Sequence, residues 1–292
     1  MSAAPQIGRL SDPAATHASK IRAAADELPL RALFGALLAL IAVFVTMAGG
    51  YFFAGFVALA ALAAAREWHR MVGTARYARE WAASGAAIVA ALAAAVVFPS
   101  SSWPLAILAA GALLASALGA TRGAAVFWSA LGTLYIGLPA WSLVALRVRL
   151  PEAEWIVLGV FLVIWTADTG ALAVGRILGG PKLIPTLSPN KTWAGLAGGL
   201  ILPAFVAAGY VAAFGGSAVR AFCLGFVLAA AGHGGDLFES WVKRRVGRKD
   251  SGELIPGHGG VLDRLDSTLF VAPLAAAFIF TFGLARLLGG HL

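Results

Sequence analysis

The 292-residue chain is 60% hydrophobic and only 12% charged, with a mean hydropathy of +0.84. A soluble globular domain carries about 25% charged residues, so a fold wrapped in a water-facing polar surface is excluded. The net charge of +8 comes from cations in short loops, a pattern of membrane topology and of attraction to lipid or substrate phosphate rather than to nucleic acid. One cysteine, Cys223, can form neither an internal disulfide nor a multi-cysteine metal site, and its apolar setting makes it a packing residue.

Residues 1–28 are mixed and polar and lack the pattern of a cleavable signal peptide. They are expected to form a cytoplasmic tail. Apolar runs follow at 29–47, 50–65, 81–98, 104–120, 124–146, 155–177, 194–214, 219–238 and 267–288, each near the roughly 20 residues that a spanning helix needs. Helices are the default because lipid offers no partner to an open strand's amides. The expected fold is an all-α, polytopic membrane bundle of about nine transmembrane helices, with 29–292 forming a single membrane domain.

Basic residues then set the orientation. With the N-terminus cytoplasmic, the inner segments hold Arg66, Arg70, Arg76 and Arg79, then Arg122, then Lys182 and Lys191, then Lys243, Arg244, Arg245, Arg248, Lys249 and Arg264. The opposite side holds little beyond Arg147, Arg149, Arg220 and Arg286. That bias puts the C-terminus outside.

Several acids sit in or beside spans: Asp168 within the sixth run, Asp236 and Glu239 closing the eighth, and Asp263 and Asp266 opening the ninth. A carboxylate in hydrocarbon costs about 3 kcal/mol on insertion scales, so such residues usually face a cavity and have a task. Asp263 and Asp266 share a helical face. With water and substrate phosphate, such oxygens suit Mg²⁺, which rarely takes an all-protein cage. Between the last two runs, cations crowd 243–249, and Gly257, Gly259 and Gly260 flank His258 in a backbone free to approach phosphate. A second polar stretch at 181–193 offers Ser188, Lys191 and Thr192 as phosphate contacts, although it lacks the glycines of a P-loop.

These residues together closely resemble the signature of the phosphatidate cytidylyltransferase family. Ser240, Lys243, Arg244, Lys249, Asp250, His258, Gly259, Gly260, Asp263, Arg264 and Asp266 meet its pattern of S-x-x-K-R, K-D and H-G-G-x-x-D-R-x-D. Gly235-Asp236-Leu237, Glu239, Asp168-Thr169-Gly170, Ser188-Pro189 and Lys191-Thr192-Trp193 resemble its other blocks, and with the LGTLYIGLP stretch at 131–139 the likeness runs from about 131 to 267. Ala194, Leu172 and His233 depart from the residues common in the family at those places.

The resemblance implies transfer of the cytidylyl group of CTP to phosphatidic acid, giving CDP-diacylglycerol and pyrophosphate. It implies Mg²⁺, alone or with a second cation, held by Asp236, Asp263 and Asp266 with Asp168 nearby. The catalytic segments would be 168–193 and 236–267, with Lys243, Arg244, Lys249, Asp250, His258 and Arg264 at the reacting phosphates. Ser188, Lys191, Thr192, Ser240, Gly259 and Gly260 would contact substrate. The implied setting is the bacterial inner membrane, with the site facing the cytoplasm and the chain pairing as a homodimer. A CTP-dependent polyprenol kinase shares the membrane, the nucleotide and the metal. A secondary transporter would also bury Asp168, but has no use for the cation-rich 240–267 segment.

Overall fold

A computed structural model describes residues 35–73, 77–119, 125–150, 152–252, 254 and 259–283. The chain divides into two compact units, Met1–Ala42 and Val43–Leu292. The described part of the first is residues 35–42, the opening of helix α1 (Gly35–Ala48). The second carries α2 (Gly50–Val72), α3 (Ala78–Val97), α4 (Trp103–Gly119), α5 (Ala125–Arg149), α6 (Ala153–Leu178), α7 (Trp193–Ala213), α8 (Ala218–Arg245) and α9 (Leu262–Phe282). A two-stranded hairpin, β1 (Lys182–Ile184) and β2 (Ser188–Thr192), separates α6 from α7.

Seven of these helices, α2, α3 and α5 to α9, are long and apolar enough to cross a membrane, while α1 and α4 are shorter. The chain is an all-α, polytopic integral membrane protein. Pro139, Pro203 and Pro273 lie inside helices, as spanning helices permit because neighbours re-satisfy the freed backbone groups.

Two helical groups share one wall. α2, α3 and α4 pack around α5, and α6 to α9 pack in sequence, with α5 also touching α6 and α9. Small residues let α6 and α7 approach: a Cβ on Gly175 would lie 3.3 Å from the Gly195 Cα. Close van der Waals contact of this kind drives helix association where lipid is as apolar as the side chains. On the other side of the bundle Trp68 is fully buried, its ring 5.0 Å from Tyr135 and 6.0 Å from Trp128, and its Nε1 donates to the Trp128 carbonyl at 2.9 Å.

The expected runs correspond to helices, but three boundaries move. α2 continues to Val72 and so carries Glu67, Trp68 and His69 inside a helix. α8 continues to Arg245, placing Lys243, Arg244 and Arg245 in its last turn, where cations complement the helix dipole. α9 begins at Leu262, so Asp263 lies in its first turn. Hydropathy ends a run at the first charge, whereas a helix ends where its carbonyls lose partners. The hairpin has no counterpart among the expected elements. The tail at 1–28, Arg76, Arg122, His258 and Arg286 lie outside the described residues.

Candidate active site

The C-terminal turns of α2 and α8, the hairpin and the start of α9 meet at one end of the bundle. Local chemistry sets each piece. Thr192 is the N-cap of α7, its hydroxyl accepting from the Gly195 amide at 3.0 Å. That cap fixes the strand that carries Lys191, pairing Lys182 with Thr192 and Ile184 with Ser188. Gly235 allows α8 to press on α9, since a Cβ there would fall 2.4 Å from the Asp266 carbonyl oxygen. The next residue, Asp236, is thereby carried to the side of Asp266.

Two lysines are each held by a carboxylate from another element, Lys243 also by one on its own helix. Lys191 is ion-paired with Asp236, which also faces the Ser240 hydroxyl at 3.5 Å. Lys243 donates to Glu239 Oε1 at 3.2 Å and to Asp263 Oδ1 at 2.8 Å. Glu239 is fully buried and its second oxygen has no hydrogen-bond partner among the described residues. Asp263 is also the acceptor for three loop contacts: Ser251 N reaches Oδ1 at 3.2 Å and Oδ2 at 3.1 Å, and Gly260 N reaches Oδ2 at 2.9 Å. These three contacts tie Ser251 and Gly260 to the start of α9.

A second set of acids gathers beside them. Asp168, exposed although it lies mid-helix, is within Coulomb reach of Asp236, Lys191 and Arg264. Asp266 is within reach of both Asp236 and Asp168. Carboxylates from α6, α8 and α9 therefore face one another with cations at their rim.

The expected metal trio is not assembled as spacing suggests. Among the described residues no three acidic, histidine or cysteine side chains are gathered as a ready-made metal cage. The reason for Asp263 is visible, because Lys243 and two amides occupy its oxygens. Asp236 is likewise engaged, by Lys191 and the Ser240 hydroxyl.

The sequence matches the cytidylyltransferase family over residues 29–282. The chain belongs to that family. It is similar to the phosphatidate cytidylyltransferase of Brucella suis biovar 1 (strain 1330), with 46% identity over 159 residues, covering 53% of this chain and 57% of that protein. The enzyme of the same name from Rickettsia bellii (strain RML369-C) is 35% identical over 160 residues, covering 51% of this chain and 68% of the relative. That of Staphylococcus saprophyticus is 46% identical over 120 residues, 40% of this chain and 46% of the relative. The chain thus spans about 57% of the length of the Brucella relatives it matches.

Within this cytidylyltransferase family member, the structure brings together Asp168, Lys191, Asp236, Ser240, Lys243, Gly260, Asp263 and Asp266. Arg244, Lys249 and Asp250 are exposed at the end of α8 and just beyond it. Thr192 has its hydroxyl committed to the α7 cap, and Ser188 pairs with Ile184 in the hairpin. Two residues escaped the sequence analysis. The Tyr135 hydroxyl is buried without a hydrogen-bond partner among the described residues, within Coulomb reach of Glu239, Asp266 and Asp236. Glu67 reaches the signature loop from α2. Only the apolar-run interruption at Glu67 could have pointed to it. Tyr135 sits within an apolar run and carries no signal of its own.

Proposed function

We propose that this protein is a phosphatidate cytidylyltransferase. A phosphate oxygen of phosphatidic acid attacks the α-phosphorus of CTP, the bond to the β-phosphate oxygen breaks, and pyrophosphate leaves with CDP-diacylglycerol formed. One observation carries the proposal: Lys191 and Lys243 are each fixed by carboxylates beside the Asp168, Asp236 and Asp266 group, at one end of a membrane bundle. Joining two polyanions asks for cations already in place, and groups oriented before substrate arrives lower the barrier without reorganising. Such a transfer proceeds by positioning and electrostatics, with no protein nucleophile.

Lys191 and Lys243 would take phosphate oxygens within the site, with Arg244, Lys249 and Arg264 at its rim. Asp168, Asp236 and Asp266 would hold Mg²⁺, which supplies Lewis-acid neutralisation of the developing charge when bound. The amides of the 251–260 segment and the His258 side chain complete the phosphate contacts in this proposal. The site faces the cytoplasm of a bacterial inner membrane, where CTP is available.

Purified protein in detergent, given Mg²⁺, phosphatidic acid and CTP, should carry label from the α-phosphate into lipid and release γ-label as pyrophosphate. Lipid labelled from the γ-phosphate would make the protein a kinase instead. Orientation is tested separately. In a Cys223→Ala background, Lys182→Cys and Arg248→Cys should be shielded from an impermeant thiol reagent in intact cells, and Glu152→Cys should react. Reaction at Arg248→Cys from outside would invert the topology.

A further inference from the structure

Glu67 belongs to α2, far from the signature in sequence, yet its carboxylate touches both ends of the signature loop. Its Oε2 accepts from the Ser251 hydroxyl at 3.3 Å and from the Leu262 amide at 2.8 Å. The side chain is 5% exposed and its other oxygen, Oε1, has no hydrogen-bond partner among the described residues. Gly252 and Gly260 close around it: a Cβ on Gly252 would meet Oε1 at 2.5 Å, and one on Gly260 would meet Oε2 at 2.5 Å. A buried carboxylate with one bare oxygen is costly, and an apolar side chain would pack α2 at less expense. The Glu67 contacts converge on Ser251 and Gly260, the same two residues that Asp263 holds from the opposite side.

We infer that Glu67 is a positioning residue, which fixes the 251–262 segment so that Asp263 and Lys243 present a preset site to the phosphates. It acts through the loop and touches no reacting atom. Its kinetic consequence rests on the proposed cytidylyl transfer, whereas its effect on loop order does not.

Two readouts separate these. Glu67→Ala should lower kcat by roughly ten- to a hundredfold, the scale of a misplacement of about 1 Å in a reacting group, with a smaller change in KM. Glu67→Gln keeps an oxygen for both donors, and its kcat should stay within about threefold of the original. A purely structural residue would lower yield and melting temperature while the surviving protein kept its kcat. Gly252→Ala should be damaging alone, because the three atoms nearest its Cβ all belong to Glu67 and that side chain is too buried to swing away. In the Glu67→Ala background it should add nothing, a full coupling of neighbours. Amide exchange read by mass spectrometry should quicken across 251–262 in Glu67→Ala and stay unchanged in α8.

Folded Glu67→Ala with unaltered exchange at 251–262 overturns the inference, as does an equal Gly252→Ala effect with and without Glu67. Should Glu67→Ala fail to fold, the Glu67→Gln and Gly252→Ala proteins decide between the two outcomes. If the original protein transfers no cytidylyl group, the functional proposal fails while the exchange data still settle the anchor.

Discussion

Both ends of the bundle remove charged side chains from water, and they use them differently. At the far end Arg147 pairs with Glu154 at 3.5 Å and donates to the Thr46 carbonyl at 2.9 Å. Arg149 donates to the Ser101 carbonyl at 3.0 Å and lies 5.4 Å from the ring centroids of both Trp141 and Phe280. These cations are met by carbonyls, rings and one acid, with only the Arg149 Nε left without a hydrogen-bond partner among the described residues, and they fasten helix ends. At the site end, Asp168, Asp236, Glu239, Asp263 and Asp266 face Lys191, Lys243 and Arg264. Acids are in surplus there, and Glu239 keeps a bare oxygen. Charge that is matched locally is architecture. A local surplus of one sign is capacity for a ligand.

The sharpest contrast comes from neutralising one acid at each end. Asp236→Asn or Asp266→Asn should cut turnover by about a hundredfold or more, the scale for losing one preorganised electrostatic element. Added Mg²⁺ should restore part of it. Glu154→Gln should leave turnover unchanged. Folded, monodisperse Asp236→Asn and Asp266→Asn proteins with normal turnover would return these acids to the architectural class.

Removing one cation from each end tests how each is compensated. Lys243→Ala strands Glu239 and Asp263 and should cost about 3 kcal/mol of stability, as breaking a buried pair does. It should also raise the apparent KM for CTP or lipid, with Mg²⁺ dependence little changed. Arg147→Ala leaves the more exposed Glu154, and should cost about 1 kcal/mol. Thermal melting in detergent compares the two, and equal losses would erase the distinction.

The smallest effect is expected at the α7 cap. Thr192→Ala frees the Gly195 amide and should cost about 1 kcal/mol, while Thr192→Ser should cost little. If Thr192→Ser is stable but fails with CTP, the residue contacts substrate beyond its capping role.

Much of this was legible without coordinates. The apolar runs marked the helices because lipid demands uninterrupted, internally bonded segments of fixed length. The cation-rich segment with Asp263 and Asp266 marked the candidate site because charge near hydrocarbon is too costly to keep without use. What the sequence left undecided was the division of labour among the acids. Asp263 and Asp266 share a helical face, yet Asp263 ties down a loop and Lys243 while Asp266 joins Asp168 and Asp236. Spacing fixes which neighbours on one helix lie together, but not which side chains of other helices will meet them.

By itself, then, the sequence determined the solvent, the succession of helices and a candidate location for the chemistry, all properties of short windows read one at a time. Only the tertiary structure decided that Glu67 meets Ser251 and Leu262 across 184 and 195 residues, and that Tyr135 underlies the acids. Those contacts depend on how helices distant in the chain pack, which is set by side-chain volume summed over whole interfaces, and no local pattern records that sum.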